Sequence, residues 1–337
     1  MSAPLRQHVP VMLAQVMEGL RVQRDGVYLD GTFGRGGHAR EVLGKLGPQG
    51  RLLVMDRDPE AIASAQETFA GDARVRIRHA NFAAMADWPD AAAGLDGVLL
   101  DLGVSSPQLD DPTRGFSFQN EGPLDMRMDP TRGVSVAQWL AEVDEKEIAN
   151  VLWRHGEEKM SRRIAKTIKQ HERPLATTRD LAELVAKAIG YREKHKHPAT
   201  RTFQALRIHI NDELGALDRG LRSALVCLNP GGRLAVISFH SLEDRAVKQF
   251  IRGEVARPVR RGLPPPQTAP SALVAIGKAQ FSSAAEIAAN PRARSAVLRV
   301  AEKSALMPAP DPAGQILRQA GEGKSARPSA ANMEGRA

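Results

Sequence analysis

Apolar positions along the first hundred residues alternate between two periodicities, one suited to strands and one to helices. Val27, Tyr28 and Leu29 form a short apolar run that predicts a strand, and residues 38–46 carry a helical pattern. A second strand is predicted over 50–56, with Asp58-Pro59-Glu60 opening the next helix, since Asp suits an N-cap and proline the first helical position. Residues 74–79 alternate polar and apolar, as a half-exposed strand does, and end at Asn81-Phe82. The run 95–101 reads as a buried strand closing on a carboxylate. Strands alternating with helices predict an α/β fold with a doubly wound, mostly parallel sheet covered on both faces. Ligands in such sheets lie beyond the carboxyl ends of the strands, and Asp30, Asp56, Phe82 and Asp101 all fall there.

From about residue 103 to 200 this rhythm stops. A Gly/Pro/Asp-rich loop over 103–133 leads to a capping box, Ser135-x-x-Gln138, and then to Val136, Trp139, Leu140 and Val143 at helical spacing. Later stripes (Ile148, Val151, Leu152; Met160, Ile164, Ile168; Leu181, Leu184, Val185, Ala188) extend the pattern and predict an inserted all-helical domain. One long helix is then expected, with the stripe Phe203, Leu206, Ile210, Leu214, Leu217, Leu221, Leu225, ending at Asn229-Pro-Gly-Gly232. Residues 232–238 read as a buried strand and Ser241-Leu-Glu-Asp244 as a helix start. The stretch 253–290 is expected to be irregular, 295–301 a final strand, and the chain beyond Pro308 a disordered tail. The expected division is a core in two parts, 1–108 and 201–303, around a loop and helical insert at 109–200, with a tail at 304–337.

The segment Asp30-Gly-Thr-Phe-Gly-Arg-Gly-Gly37 joins the first strand to the first helix. Glycine lets a backbone approach a ligand closely, and a helix start offers unpaired N–H groups, so Gly34, Gly36 and Gly37 suit a cradle for a nucleotide-like ligand. A glycine-rich turn without a ligand is the plainer alternative. The same residues fit a dinucleotide fingerprint, Gly34-x-Gly36-x-x-Ala39, so the loop alone does not name the ligand. Asp56 lies a little beyond the roughly 20-residue interval expected of an acid that grips a ribose. Because Asp58 already opens the following helix, ribose gripping is the favoured role for Asp56.

A second candidate segment is Asp101-Leu-Gly-Val-Ser-Ser-Pro-Gln108. A polar residue and proline in the loop after the fourth strand mark where amino-group methyltransferases hold the nitrogen to be methylated. An exocyclic amine delocalises its lone pair into the ring and is a poor nucleophile. Acceptors aimed at its N–H groups favour a pyramidal nitrogen and expose that lone pair. Asp101, with Ser105, Ser106 and the rigid Pro107 shaping the pocket, is the candidate catalytic set. Ordinary Ser/Pro turn chemistry is the alternative.

At 337 residues the chain has room for one large domain with an insertion, and 42% hydrophobic content permits a sizeable core. Aromatics make up 4%, so that core must rest on aliphatic residues. The single cysteine, Cys227, rules out an internal disulfide or a cysteine zinc site and reads as packing. No run reaches the roughly 20 apolar residues of a membrane span. Pro4, Arg6, His8 and Pro10 interrupt any signal-peptide core, so a cytoplasmic protein is expected. A formal net charge of +8 makes a polyanionic partner plausible. Lys194, Lys196, His197, Arg201 and Arg207 form the candidate RNA-binding stretch, with Arg257, Arg260 and Arg261 a second basic cluster. A solvated charged loop is the alternative. His195 and His197 lack a third spaced ligand, so no metal is expected. Trp139 lies in an apolar stripe and reads as core, not as a platform for a base.

Taken together, Asp30-Gly-Thr-Phe-Gly-Arg-Gly-Gly-His38, the 101–110 segment, Arg114-Gly-Phe-Ser-Phe118, the 122–133 segment, His197-Pro-Ala-Thr-Arg-Thr-Phe-Gln204, Ser238-Phe-His-Ser-Leu-Glu-Asp-Arg245 and Asn290-Pro-Arg-Ala-Arg-Ser295 resemble the signature blocks of one family. It is the RsmH (MraW) family of bacterial 16S ribosomal RNA methyltransferases, and the similarity runs from about residue 6 to 303. The resemblance implies a class I, Rossmann-like fold and methylation of a cytidine N4 in the decoding centre of the small ribosomal subunit, with S-adenosylmethionine as cofactor. It also implies that Gly36, Gly37, His38, Asp56, Phe82, Asp101 and Gln108 touch that cofactor. From the residues alone, Phe82 could equally be core and His38 a surface residue. Three rivals remain: a DNA cytosine-N4 methyltransferase, a nicotinamide-dependent oxidoreductase suggested by the glycine fingerprint, and a non-enzymatic RNA-binding or assembly factor.

Overall fold

The computed structural model describes residues 10–190, 197–253 and 272–305. After a first helix, α1 (Leu13–Leu20), the chain alternates strand and helix: β1 (Val27–Asp30), α2 (Gly37–Lys45), β2 (Arg51–Asp56), α3 (Pro59–Thr68), β3 (Val75–His79), α4 (Pro89–Ala92) and β4 (Leu95–Asp101). Five helices follow the loop after β4: α5 (Ser106–Asp110), α6 (Val136–Glu142), α7 (Glu145–Gly156), α8 (Ser161–Lys169) and α9 (Thr178–Ile189). Then come α10 (Thr200–Ile210), α11 (Glu213–Cys227), β5 (Leu228–Ser238), α12 (Ser241–Arg252), β6 (Leu273–Ala275), β7 (Gln280–Phe281), α13 (Ala284–Ala289) and β8 (Val297–Lys303).

The strands form one sheet in the order β3-β2-β1-β4-β5-β8-β6, with β7 also paired to β8. The first five run parallel, and β8 is antiparallel to its neighbours. This is the doubly wound, Rossmann-like α/β architecture expected from the alternation of periods. Both faces are buried, so the strands read as nearly continuous apolar runs. Leu52, Val54, Leu99 and Ile237 pack toward α1 and α2, whereas Leu53, Met55, Leu100 and Val236 pack toward α11 and α12.

Register fixes which side chains meet at the carboxyl edge. Asp30 pairs with Val54 on one side and Leu99 on the other. Asp56 and Asp101 therefore lie one pleat period beyond Asp30 on the flanking strands, and all three carboxylates leave the same face. Burial puts the Asp30 carboxyl up to about 7, raised further by the charge of Asp56 and opposed by hydrogen bonds from Thr32.

Helices α6 to α10, together with Leu124, Met126 and Met128 of the preceding loop, share their own apolar cluster. The capping box at Ser135 forms as the spacing predicts, with Gln138 N–H on Ser135 Oγ at 3.2 Å and Ser135 N–H on Gln138 Oε1 at 2.8 Å. Trp139 packs in this cluster, its ring 4.5 Å from that of His209, and Cys227 is buried against the sheet.

Four expectations need correction. The single long helix over 203–225 is two helices, because its stripe serves two cores: Phe203 and Leu206 pack with the helical cluster, Leu217 and Leu221 with the sheet. The break falls at Asn211 and at Asp212, which adopts φ 48°. Asn211 holds it, accepting from Met128 N–H at 2.8 Å and donating to Met126 C=O at 2.7 Å, while Arg57 donates to its carbonyl at 2.7 Å. Second, α11 ends at Cys227 with no glycine cap; residues 229–232 lie within β5, where the pairing to β4 is irregular. Third, the described part of 253–290 contains β6, β7 and α13, too short for a periodic signal. Fourth, the loop 103–133 carries the one-turn helix α5. The expected tail beyond residue 305 lies outside the described residues.

Replacing Asn211 by Ala leaves a buried N–H and a buried carbonyl without their side-chain partner. Urea denaturation should show a loss of about 2–4 kcal/mol; a loss under about 1 kcal/mol would mean that the break is held by something else.

Candidate active site

The turn after β1 is built backbone first. Gly31 N–H donates to Leu99 C=O at 3.0 Å, Phe33 N–H to Met55 C=O at 3.2 Å, and Gly36 N–H to Phe33 C=O at 2.7 Å. Gly36 caps α2 at φ 69°, a conformation glycine adopts without penalty, and a Cβ there would stand 2.3 Å from the Phe33 ring. The pocket beyond the strand ends is lined by Gly34 and Gly37 and not by Gly36, which shapes the turn behind them. Pro10 and Val11 lie over the start of α2 and form one rim.

Asp56 faces this pocket with each oxygen already anchored. Gly34 N–H reaches Oδ2 and Asp58 N–H reaches Oδ1, both at 2.9 Å. These bonds fix the carboxylate while leaving it lone pairs for a ligand hydroxyl. Burial pushes its carboxyl up to about 6, against the pull of those same N–H groups.

Asp101 stands opposite. Its N–H donates to Thr32 Oγ1 at 2.6 Å, which ties the end of β4 to the glycine turn. Oδ2 lies 3.8 Å from His38 Nδ1, and Oδ1 is buried with no hydrogen-bond partner. Burial, then the charges of Asp30 and Glu243, push its carboxyl up to about 8. His38 is buried, not a surface residue. Its Nε2 sits 2.9 Å from Val11 C=O, so the ring proton belongs on Nε2 and Nδ1 faces Asp101 as an acceptor.

Gln108 and Asp58 lock the loop after β4. Gln108 Oε1 accepts from Ser105 N–H at 2.9 Å, and its Nε2 donates to Asp58 Oδ2 at 2.7 Å. Arg114 donates to the same oxygen at 3.0 Å and to Met128 C=O at 2.8 Å. Asp58 meanwhile caps α3 through Glu60 N–H at 3.0 Å. Ser105, Ser106 and Gln108 line the pocket, whereas Pro107 is not among the lining residues.

The remaining wall comes from residues to which the sequence reading gave no role: Arg57, Met128, Glu213, Leu217, Phe239 and Glu243. Glu213 accepts both arms of Arg207 at 2.8 Å. Glu243 accepts from Phe239 N–H at 2.8 Å. Burial alone would raise its carboxyl, but the His240 hydrogen bond, the charges of His240 and Arg207 and the Phe239 N–H hold it below the ordinary value. Glu213, His240 and Glu243 are a set whose ligand atoms lie within 4.8 Å of one another, and each already has a protein partner. The signals available were the family blocks at 122–133 and 238–245 and the 241–244 helix start, where Glu243 occupies the third position and reaches back to the turn.

Phe82 lines the pocket and rests on Gly220 of α11. Of the candidate RNA contacts, Lys194 and Lys196 lie outside the described residues, as do Arg257, Arg260 and Arg261. His197 is exposed, its ring 4.7 Å from Phe118, and Arg201 is half-buried. Arg207 is a correction: its bidentate pair with Glu213 turns it inward, away from a phosphate on the surface. No helix among the described residues is long and apolar enough to cross a membrane.

Comparison with known proteins settles the family. The profile of the MraW methylase family matches residues 6–304. The chain belongs to that family. Among curated relatives, the ribosomal RNA small subunit methyltransferase H of Xanthomonas euvesicatoria pv. vesicatoria (strain 85-10) is 60% identical over 306 residues, covering 90% of each chain. That of Xylella fastidiosa (strain M23) is 60% identical over 304 residues, 88% of this chain and 97% of the relative. That of Stenotrophomonas maltophilia (strain K279a) is 59% identical over 299 residues, 88% and 93% respectively. Membership of a methylase family removes the oxidoreductase reading of Gly34-x-Gly36-x-x-Ala39.

Gly220 offers a test of the Phe82 wall from outside the pocket. A Cβ there would stand 2.3 Å from the Phe82 ring, so Gly220→Ala must displace the ring. Calorimetry should show affinity for S-adenosylmethionine falling by about tenfold, equivalent to about 1.4 kcal/mol. Unchanged affinity would show that Phe82 does not form part of the binding surface.

Proposed function

We propose that this protein transfers a methyl group from S-adenosylmethionine to the N4 amine of a cytidine in the decoding centre of 16S rRNA, acting on the small ribosomal subunit. The observation that carries the reading is the convergence of Gly34, Asp56 and Asp101 on one pocket, with Asp101 Oδ1 buried and unpartnered. The 60%-identical relatives, named as small-subunit rRNA methyltransferases, point to the same class of substrate.

The residues present suit the cofactor. Asp56 offers anchored acceptors for ribose hydroxyls, Phe82 an apolar face for adenine, and Gly34 and Gly37 a backbone that a chain of atoms can approach. Asp101 lines the pocket, and Asp30 lies buried on the adjacent strand behind the glycine turn; acidic groups so placed favour a positive charge nearby. When bound, the cofactor supplies an electrophilic methyl group carried on a positively charged sulfur.

Asp101 is the proposed catalytic group. Its Oδ1 accepts a hydrogen bond from an amine N–H, which favours a pyramidal nitrogen with its lone pair free to attack, and takes the proton the nitrogen sheds. His38 packs beside the other oxygen, Nδ1 3.8 Å from Oδ2. Ser105 and Ser106 line the amine side, and the Gln108–Asp58–Arg114 bonds hold that loop rigid, so that positioning contributes much of the rate. Glu243 and Glu213 supply further acceptors around the base. His197 and Arg201 are the proposed phosphate contacts among the described residues.

Labelled S-adenosylmethionine incubated with unmethylated small subunits should place label on one cytidine of 16S rRNA, read by nuclease mapping. Asp101→Asn should lower kcat by roughly 100-fold or more with the protein folded. Label appearing in duplex DNA instead would favour the DNA reading, and cofactor binding without transfer to any ribosomal substrate would favour an assembly factor.

A further inference from the structure

The three tryptophans occupy different environments. Trp88 and Trp139 are 7% and 9% exposed, whereas Trp153 is 60% exposed. An exposed indole offers a flat apolar face on which a planar group can stack. Its neighbourhood says which kind. Arg154, Lys159, Arg162 and Arg163 are all exposed on the end of α7, the turn after it and the start of α8. Glu158 of that turn is buried, and Glu157 is paired with Arg245.

The place of Trp153 relative to the pocket follows from that last contact. Glu157, one turn beyond Trp153, meets Arg245 of α12 at 3.4 Å. Helix α12 starts just after Phe239, which lines the pocket. Trp153 therefore stands on the end of the helical cluster that meets α12, the helix whose first turn carries the pocket residue Glu243.

We propose that Trp153 is the stacking platform of a second nucleotide subsite. It takes an unpaired RNA base flanking the target cytidine, while Arg154 and its exposed neighbours neutralise the adjoining phosphates. The proposal rests on the RNA reading above. A base whose amine is methylated must leave its stack, which strips its neighbour of a stacking partner. An aromatic face replaces that partner without selecting sequence, and nearby guanidinium groups strengthen the contact.

Two measurements decide it. Because Trp88 and Trp139 are buried, single-stranded oligocytidylate should quench emission from Trp153, and Trp153→Ala should abolish that quenching. With unmethylated small subunits, Trp153→Ala should raise KM roughly fivefold to a hundredfold. It should leave saturating kcat and cofactor affinity unchanged, and Trp153→Phe should restore most of the loss. A KM within twofold of the parent with no quenching in the parent overturns the proposal. So does a raised KM for subunits with unaltered affinity for oligocytidylate, which would assign the indole to a protein partner. If the parent transfers no methyl group to subunits, the reading above fails, and the fluorescence arm still judges the subsite.

Discussion

Three carboxylates, on three adjacent parallel strands, share one buried rim. Register dictates it: Asp30 pairs with Val54 and Leu99, and Asp56 and Asp101 follow each partner by two residues. Burial makes the charged form of each costly, and like charges nearby add to that cost. Buried acids normally find partners, and two of these find partial ones in backbone N–H groups from Thr32, Gly34 and Asp58. Asp101 has Oδ1 without any. Such an arrangement destabilises the apo protein progressively as pH rises, because the folded state holds these carboxyls at about 6 to 8, above their unfolded values. It becomes favourable when a cation enters, which links the fold directly to the proposed chemistry.

The rest of the molecule holds that rim in place. Asp58 caps α3, and also anchors Gln108 and Arg114, so one buried carboxylate ties the sheet, the loop after β4 and the segment before α6 together. Asn211 does the same job where α10 passes into α11, fixing Met126 and Met128 and receiving Arg57. Glu213 follows that break immediately and joins the pocket wall. The helical cluster is thus fastened to the core at points that also shape the pocket, which is how a substrate surface on one can be registered against chemistry on the other.

Legibility in the sequence followed periodicity. Strands β1, β2 and β4 announced themselves as short apolar runs and β3 as a polar/apolar alternation, and the carboxylates ending β1, β2 and β4 were readable because the fold class says where ligands go. The glycine turn was readable in outline, yet the separate tasks of its glycines were not: Gly34 and Gly37 face the pocket and Gly36 faces the Phe33 ring. The helix over 203–225 misled because an apolar stripe shows that a face is buried without showing against what, and here two halves are buried against different cores. Glu213 carries no local pattern that announces a site, and Phe239 and Glu243 lie in a family block, 238–245, that gave them no particular role. They reach the pocket through tertiary packing, in which Arg207, adjacent in neither strand nor loop, becomes an interior ion-pair partner.

The central claim is that the strand-end carboxylates, Asp101 above all, give up a proton to accommodate a positive sulfur. Isothermal titration at pH 7 in two buffers of different ionisation enthalpy measures this directly. The free Asp101 carboxyl, at about 8, is largely protonated there. Binding of S-adenosylmethionine should release protons, with affinity rising as pH goes from about 6 to 8 and levelling above, as deprotonation ceases to be required. S-adenosylhomocysteine, whose sulfur is neutral, should release markedly fewer, and Asp101→Asn should abolish the difference between the two ligands. Equal proton release for both ligands, or a difference that survives in Asp101→Asn, would contradict the account.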